Sequence, residues 1–387
     1  MTVKELITKY EPYMVEMRRE LHQHPEISLQ EEWTSARICQ ELESAGIFYQ
    51  VVGHRNVVGV VDSGKPGRSI AIRADFDALP MDELVDLPYK SKIKGAMHSC
   101  GHDAHTATLL GCGKVLNDLK DSFNGKVYLC FQIAEEVGAG ADEIVAYLKE
   151  QGGVDEVIAV HVLGAEEVGT MVLPDGAMYA GNMGFKVTVK GVGGHGSRPD
   201  LAVDPLRPAC DILLKIQAIP VNRHDPFETV VISPCMINGG TKNNIIPEAC
   251  EIEGNIRFFR VGEGEELVGE IARMAEQIAA TYGATVEVSH SSMALYPVVN
   301  TAESAQRGRA LAKELGLTVL APPNPNLASD NFADFLQAFG GFYASFGAHS
   351  HRPGTSGNHH NPTFDMDEAA MPLWGEFLAE YAYRFLQ

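Results

Sequence analysis

The sequence has little of what several protein classes require. Lysine and arginine number 31 against 51 aspartates and glutamates, which gives a formal net charge of −20 at pH 7. A chain this acidic is poorly suited to neutralising phosphates, so we expect no nucleic-acid partner. No stretch approaches the roughly 18 consecutive apolar residues of a membrane span, so we expect no membrane-spanning helix. No internal repeat or low-complexity tract is visible.

Cysteines are few and scattered, and an odd number of seven does not suggest a disulfide framework. Residues 1–10 are already charged and lack the apolar core of a signal peptide. These features predict a cytoplasmic protein whose thiols are structural. Cys100 is the exception because it stands between His98 and His102. Histidine, the commonest metal ligand, occurs 14 times.

Hydrophobic periodicity indicates an α/β fold. Helical patterns in the first 45 residues precede β-rich runs at 57–61, 69–73 and 127–133, with a helical stretch at 106–119 between the last two. This alternation favours a mixed sheet with helices on both faces.

The pattern changes near residue 184. Strand patterns and helical patterns then follow in the order β-α-β-β-α-β, which is a ferredoxin-like unit. The segments are 184–190, 205–219, 229–237, 249–259, 263–282 and 285–290. Helical patterns resume after residue 302. We therefore predict a discontinuous catalytic domain, 1–182 and 293–387, interrupted by an inserted domain, 183–292.

The densest group of potential ligands is the run MHSCGHDAH at 97–105. A thiolate beside an imidazole suits zinc or a similar borderline divalent ion, and the single residue between Cys100 and His102 lets both side chains converge. The alternative is a helix N-terminus that Asp103 caps and whose histidines are solvated.

Two carboxylates follow the apolar run at 127–133. Adjacent residues in extended backbone point apart, so of Glu135 and Glu136 one could bind metal while the other faces water or substrate. Adjacent glutamates are also common on solvated surfaces. Their place at the end of a strand in an α/β sheet favours the site.

Further histidines lie in an apolar strand and in a loop. His161 interrupts the apolar run 157–162, where a lone histidine is more often a satisfied core residue than a ligand. His349, His351, His359 and His360 occur among glycines and prolines that indicate a loop.

Six runs in order along nearly the whole chain resemble the co-catalytic metallopeptidase family of aminoacylases, glutamate carboxypeptidases and deacetylases. The branch is the one with hippurate hydrolase, indole-acetyl-amino-acid hydrolases and N-acetyldiaminopimelate deacetylase. The runs are RRELHQHPE at 18–26, RADFDALP at 73–80, HSCGHD at 98–103, QIAEE at 132–136, GGHGSRP at 193–199 and NHHNP at 358–362.

The resemblance implies a site for two divalent ions, zinc or else manganese, cobalt or nickel. It implies Glu135 as general base. The implied ligands are Cys100, His102, Glu136, His161 and His360. His360 is preferred to His359 because the family ligand stands directly before Asn-Pro. The residues implied to support or orient these ligands are His98, His105, His359, Asp75 and Asp77.

The resemblance also implies roles for the inserted domain, which would act as a lid and dimerisation domain. His195 would donate to the oxyanion, supplied by the partner subunit of a homodimer. Asn244 and Arg257 would hold a substrate carboxylate, for which the arginine fork is suited. The alternatives are an exposed imidazole in a glycine-rich turn and an arginine paired with a surface acid.

The implied activity is hydrolysis of the amide bond of a small N-acyl amino acid. A carboxypeptidase or dipeptidase acting on short peptides, and a metal-binding relative without turnover, remain alternatives. A metal-free serine or cysteine hydrolase is a further alternative, but the sequence has no G-x-S-x-G run. Cys100 could act as a nucleophile, yet its neighbours are better suited to ligation. One segment departs from the branch: relatives carry Glu-Asp-Phe where this chain has Asp330, Asn331 and Phe332 after Ser329. That leaves substrate choice and local ligand support open.

Overall fold

The computed structural model describes residues 1–225, 227–294, 296–321 and 326–387. The chain divides into two compact units. Unit 1 comprises Met1–Met178, Val299–Asn324 and Asp330–Gln387, and unit 2 comprises Tyr179–Val298 and Pro325–Ser329. Among the helices in the described ranges, none combines the length and the hydropathy that crossing a bilayer requires.

The elements alternate along the chain. In chain order the helices are α1 (Val3–Gln23), α2 (Glu32–Ser44), α3 (His102–Asp118), α4 (Ala141–Glu150), α5 (Leu206–Ile216), α6 (Ile219–Arg223), α7 (Glu263–Thr281), α8 (Ala302–Glu314), α9 (Phe332–Phe339) and α10 (Ala370–Phe385). The strands are β1 (Phe48–Val52), β2 (Asn56–Asp62), β3 (Ser69–Asp75), β4 (Lys126–Gln132), β5 (Glu156–Leu163), β6 (Thr170–Val172), β7 (Gly176–Tyr179), β8 (Gly181–Lys190), β9 (Gly194–His195), β10 (Val231–Gly239), β11 (Ile245–Ile246), β12 (Ala249–Phe258), β13 (Thr285–Ala294), β14 (Val298–Asn300), β15 (Thr318–Val319) and β16 (Gly341–Gly347).

Unit 1 is built on an eight-stranded mixed sheet in the order β1-β2-β4-β3-β5-β16-β6-β15. The four central strands, β4, β3, β5 and β16, run parallel to one another. Strand β2 pairs antiparallel with β1 and β4, and β6 pairs antiparallel with β16 and parallel with β15. Strands β3, β4 and β16 are almost wholly buried, as expected where helices cover both faces of a parallel sheet. The predicted mixed α/β sheet is confirmed, and the carboxyl ends of its four parallel strands meet at one edge.

Helices α1, α3 and α10 pack together in the core of unit 1. The first of the predicted N-terminal helical patterns forms α1, whose apolar side chains are buried, including Leu6, Met14 and Leu21. Gly111 of α3 lies against the Met14 side chain, where an added Cβ would come within 2.5 Å of Met14 Cγ. The close packing of α3 fixes its first turn, which carries His102 and Asp103.

Unit 2 has the predicted ferredoxin-like order β8-α5-β10-β12-α7-β13, with the short α6, β9 and β11 in the connections. Its four-stranded sheet has the order β10-β12-β8-β13, and every pair of neighbours is antiparallel. Alternate residues of β8 are buried against α5 and α7, which gives unit 2 its own core. The lid and dimerisation role expected for residues 183–292 stays a prediction.

Candidate metal centre

The carboxyl edge of the unit 1 sheet gathers the ligands that the sequence predicts. Glu136 follows β4, His161 lies near the end of β5, and His360 lies in the loop between β16 and α10. His102 is the first residue of α3, and Cys100 lies two residues before it, on the other side of Gly101. Ligands brought together at the ends of parallel strands are typical of sites in α/β proteins.

These five side chains form two overlapping groups that share Cys100. One group is Cys100, His102 and His161, and the other is Cys100, Glu136 and His360; within each, the potential ligand atoms lie within 4.8 Å of one another. Cys100 Sγ is 3.5 Å from His161 Nε2. Glu136 Oε1 is 3.2 Å from His360 Nε2 and 3.9 Å from His102 Nε2. Two neighbouring three-ligand groups are suited to two cations.

The Nε2 atoms of His161 and His102 are placed to bind a metal ion. His161 Nδ1 donates to the Val162 carbonyl at 2.7 Å, which leaves Nε2 directed at Cys100. His102 Nδ1 is 3.1 Å from Asp77 Oδ1, while its Nε2 is buried without a hydrogen-bond partner among the described residues. A second nitrogen held by a carboxylate or carbonyl is the usual arrangement around a metal-ligating histidine. The residues therefore fit divalent cations.

The ionisation of His161 and Cys100 follows from their burial. Burial lowers the pKa of His161 well below its ordinary value, so the imidazole is in the neutral form that ligates metal. Burial raises the pKa of the Cys100 thiol well above its usual range, although His102 opposes the shift. A buried thiolate needs a neighbouring positive charge, which a cation supplies.

Glu135 and Glu136 do not lie in extended backbone. The expectation that their side chains point apart because the backbone is extended is therefore wrong. Glu135–Val137 forms a single 3-10 turn, and Ala134 before it is left-handed with φ 55°. Burial, with Asp330 and Glu136 nearby, raises the pKa of Glu135 well above its ordinary value. Glu135 can thus hold a proton that an exposed glutamate would lose.

A family match over most of the chain identifies the family. The model of peptidase family M20/M25/M40 matches residues 71–384. This chain belongs to that family. It is therefore an enzyme of the M20 group of peptidases and amidohydrolases.

Relatives of this M20 enzyme cover almost all of it. An N-acetyl-L-cysteine deacetylase of Bacillus subtilis is 36% identical over 98% of this chain and 90% of its own length. Thermostable carboxypeptidase 2 of Saccharolobus solfataricus is 34% identical over 99% of this chain and 98% of its own. The crystal structure of the Bacillus subtilis YXEP protein, a dinuclear metal binding peptidase of the M20 family, superposes with a TM-score of 0.84 at 31% identity, covering 98% and 99% of the two chains.

His105 of this M20 enzyme is positioned as a support. Its Nδ1 donates to Asp75 Oδ1 at 2.6 Å, and its Nε2 accepts the Val162 N–H at 2.9 Å. Asp75, His102 and His105 form a further group of potential ligands, with atoms within 4.8 Å of one another. Both nitrogens of His105 are, however, already engaged in hydrogen bonds with the protein. His105 ties the start of α3 to the end of β5.

His359 and His98 differ from each other in what they contact. His359 Nδ1 lies 3.6 Å from Cys100 Sγ, so both histidines of the NHHNP run contact proposed ligands, His359 beside Cys100 and His360 beside Glu136. Burial lowers the pKa of His359 to about 4. Both nitrogens of buried His98 lack a hydrogen-bond partner among the described residues.

The segment that departs from the branch is tied into the same edge. The Asp330 carboxylate is 3.3 Å from Arg73 Nη2 and accepts the hydroxyl of Tyr343. Asn331 accepts from Gln132 Nε2 at 2.7 Å and donates to the Ala139 carbonyl at 2.9 Å. An aspartate at 331 has no proton to donate to Ala139 when ionised, so the asparagine suits this carbonyl.

Two residues of the N-terminal RRELHQHPE run contact Asp103 in the first turn of α3. Arg18 Nε donates to Asp103 Oδ2 at 3.0 Å, and His22 Nδ1 lies 2.8 Å from the same oxygen. All three side chains are buried. Although burial opposes its ionisation, Arg18 and His22 lower the pKa of Asp103, so the ion pair anchors the first turn of α3.

Sequence reasoning missed two residues that hold the Glu135 turn. Glu31 Oε1 accepts the Ala134 N–H at 2.8 Å, and Asn56 Oδ1 accepts the Ile133 N–H at 3.0 Å. Both side chains are fully buried. The available signal was that Glu31 is an acidic residue close to the run at 18–26. Its partner, Ala134, lies about 100 residues away in the sequence.

In unit 2, β9 pairs with β11 and brings two predicted residues side by side. His195 is the register partner of Ile245, and the Gly196 N–H donates to the Asn244 carbonyl at 2.8 Å. His195 Nδ1 accepts the Ser197 N–H at 3.1 Å. In the neutral imidazole the proton is therefore on Nε2, which makes exposed His195 a hydrogen-bond donor.

Arg257 lies on β12 and donates from Nη1 to Ser329 Oγ at 3.1 Å. Burial lowers its pKa, and no nearby carboxylate among the described residues counters that shift. The alternative of a surface acid as its partner is thus without support in the described ranges, and the guanidinium keeps donors for another anion.

Proposed function

We propose that this enzyme hydrolyses the amide bond of N-acyl amino acids with the help of two divalent ions. The observation that carries the proposal is the pair of ligand groups sharing Cys100, with Glu135 directly beside the ligand Glu136. A relative named N-acetyl-L-cysteine deacetylase, 36% identical over almost the whole chain, supports the acyl amino acid as substrate.

The proposed ligands are Cys100, His102, Glu136, His161 and His360. Zinc suits the cysteine and histidines, while manganese, cobalt or nickel also suit mixed sulfur, nitrogen and oxygen ligands. When bound, the divalent ions polarise the amide carbonyl and make water a stronger acid.

Glu135 is proposed to move the proton. Its carboxylate takes a proton from the attacking water and later delivers it to the departing amine nitrogen, as general base and then general acid. A raised pKa suits the second role, because a carboxylic acid with an ordinary pKa is a poor proton source near neutral pH. Asp75 and Asp77 orient His105 and His102 respectively.

Unit 2 is proposed to serve as the lid and dimerisation domain and to supply the remaining groups. His195 would donate its Nε2 proton to the oxyanion, acting across a homodimer, and Asn244 and Arg257 would hold the substrate carboxylate. Exposed Met236 and Ile237 on edge strand β10 support an interface there.

The seven free cysteines suit the reducing cytoplasm that the sequence analysis expects.

Carboxypeptidase or dipeptidase activity is the second candidate. It is favoured by the 34% identity to thermostable carboxypeptidase 2, and an arginine free of acid partners suits a peptide's terminal carboxylate equally well. Metal binding without turnover is not expected of a chain that retains Glu135 beside a complete set of proposed ligands.

A substrate panel distinguishes these activities. The metal-reconstituted enzyme is assayed with N-acetyl, N-benzoyl, indole-acetyl and long-chain acyl amino acids, and with dipeptides that share the same C-terminal residues. The proposal expects kcat/KM to be highest for an acyl amino acid. A preference for the dipeptides establishes the second candidate, and silence across the panel with both ions bound contradicts hydrolysis of either class.

A further inference from the structure

A second group of metal-binding side chains lies on the surface of unit 1, apart from the five proposed ligands. It comprises Glu167, His349 and His351, whose potential ligand atoms lie within 4.8 Å of one another. Both His351 and Glu167 are well exposed, so a cation reaches them from solvent without any change in the protein. We propose that this Glu-His-His group is a further binding site for a borderline divalent ion such as Zn²⁺.

The ligand atoms have the chemistry and spacing that such an ion needs. His351 Nε2 lies 3.0 Å from Glu167 Oε2. Ligands about 2.0–2.2 Å from a tetrahedral zinc stand roughly 3.3 Å apart, so this pair already spans one edge of a coordination shell. Two imidazoles and one carboxylate leave a further position for water, as in three-ligand zinc sites.

His349 is oriented for ligation by the backbone. Its Nδ1 donates to the Gly164 carbonyl at 3.1 Å, which leaves the lone pair on Nε2. The two imidazole rings meet edge to face with centroids 4.8 Å apart. A histidine whose second nitrogen is held by a carbonyl is the arrangement seen around bound metals.

The backbone around the group is fixed before any ion binds. The His349 N–H donates to the Glu166 carbonyl at 2.8 Å, and the Ala348 N–H donates to the Leu163 carbonyl at 3.2 Å. The Thr170 hydroxyl donates to the Glu167 carbonyl at 2.6 Å. Because the segments after β5 and β16 are held together in this way, binding costs mainly the ordering of two exposed side chains.

The chain offers a matched control. His54 Nδ1 and Glu143 Oε1 form another histidine–carboxylate pair on unit 1, 2.7 Å apart, in which the histidine is exposed. Among the described residues this pair belongs to no three-ligand group. If a histidine beside a carboxylate were sufficient for binding, replacing His54 would have the same effect as replacing His351.

The test is a Zn²⁺ titration by calorimetry of the enzyme already loaded with its tightly bound ions. The parent is expected to show one additional, weaker binding event that His351→Ala and Glu167→Gln weaken at least about tenfold, since loss even of a ligand's supporting partner costs about 10–100-fold in affinity. His54→Ala is expected to leave that event unchanged. An unaltered event in His351→Ala, or no additional event in the parent, overturns the proposal.

Copper provides a spectroscopic readout that is independent of hydrolysis. Cu²⁺ added to the loaded enzyme is expected to give an electron paramagnetic resonance spectrum with coupling to two nitrogens, and to one in His351→Ala. Coupling unchanged by that substitution contradicts the site. Elemental analysis is expected to give equal numbers of tightly bound ions per chain in parent and variant. Because the spectrum reports copper coordination and not turnover, the result does not depend on the proposed amide hydrolysis.

Discussion

The Glu31 carboxylate accepts the N–H of Ala134 at 2.8 Å, and Ala134 is the left-handed residue that directly precedes Glu135. A non-glycine residue in this conformation is strained by about 1–3 kcal/mol and persists where its surroundings hold it. The bond between Glu31 and Ala134 therefore positions the proposed general base through the backbone.

Glu31→Ala is expected to lower kcat about 10- to 100-fold and to leave KM nearly unchanged, because misplacement of a reacting group costs roughly that much. Glu31→Gln keeps an acceptor oxygen and is expected to restore most of the rate. Steady-state kinetics at constant metal content measure both. Glu32→Ala removes the neighbouring exposed carboxylate that pairs with Arg55 and is the control; equal losses in the Ala and Gln variants of Glu31 would refute the positioning role.

Glu31 also predicts a pH dependence of stability. Burial raises its pKa from 4.5 to about 7. A carboxyl group whose pKa is raised in the folded protein contributes to stability at low pH. For Glu31 this contribution is fully present below the unfolded pKa, near 4.5, and is lost as the pH rises through about 7. Because glutamine stays neutral, the free energy of unfolding of Glu31→Gln relative to the parent is expected to rise by on the order of 2 kcal/mol between pH 4.5 and 7. Urea denaturation at both pH values measures it; a constant difference would contradict the shift.

Arg257 predicts selectivity for substrates with a free carboxylate. Arg257→Ala is expected to lower kcat/KM about 10- to 100-fold, since a hydrogen bond to a charged group contributes roughly 1.5–3 kcal/mol. The loss is expected with the free acid and to be small with its methyl ester. Arg260→Ala, which removes a neighbouring arginine paired with Glu266, is the control. Equal losses with acid and ester would exclude the proposed clamp.

The proposed homodimer predicts complementation between two inactive variants. Glu135→Ala and His195→Ala, each inactive alone, are mixed and allowed to exchange subunits. If His195 acts across the dimer, each mixed dimer has one intact site, and about a quarter of the parent activity is expected from random exchange. Light scattering checks the oligomeric state. No recovery after demonstrated exchange would place His195 and Glu135 of one subunit in the same site.

Much of the fold is readable from the sequence because the patterns are local. The alternation in β8 and the stripes of α5 and α7 predict the ferredoxin-like order directly, and the structure confirms it. Strand β16 escapes such reading, since its seven buried residues follow α9 after one glycine and resemble a continuation of that apolar helix. Its pairing with β5 and β6 makes it a strand.

The candidate site is predictable where its residues are neighbours in sequence. Cys100 and His102 are separated by one residue, so their convergence needs no knowledge of the fold. Glu135 and Glu136 are found for a reason that the structure corrects, because their directions come from a turn after a left-handed Ala134. Glu31 could not be predicted, since its bond to that turn exists only in the folded chain.

The central claim is that Glu135 carries the proton in a hydrolysis that requires the neighbouring metal ligands. Glu135→Ala is purified with its metals, and its ion content and its kcat/KM on the best acyl amino acid are measured in the same preparation. Two ions per chain with kcat/KM lowered about 10²- to 10⁴-fold are expected, the usual contribution of a positioned acid and base. Hydrolysis at the parent rate would contradict the account.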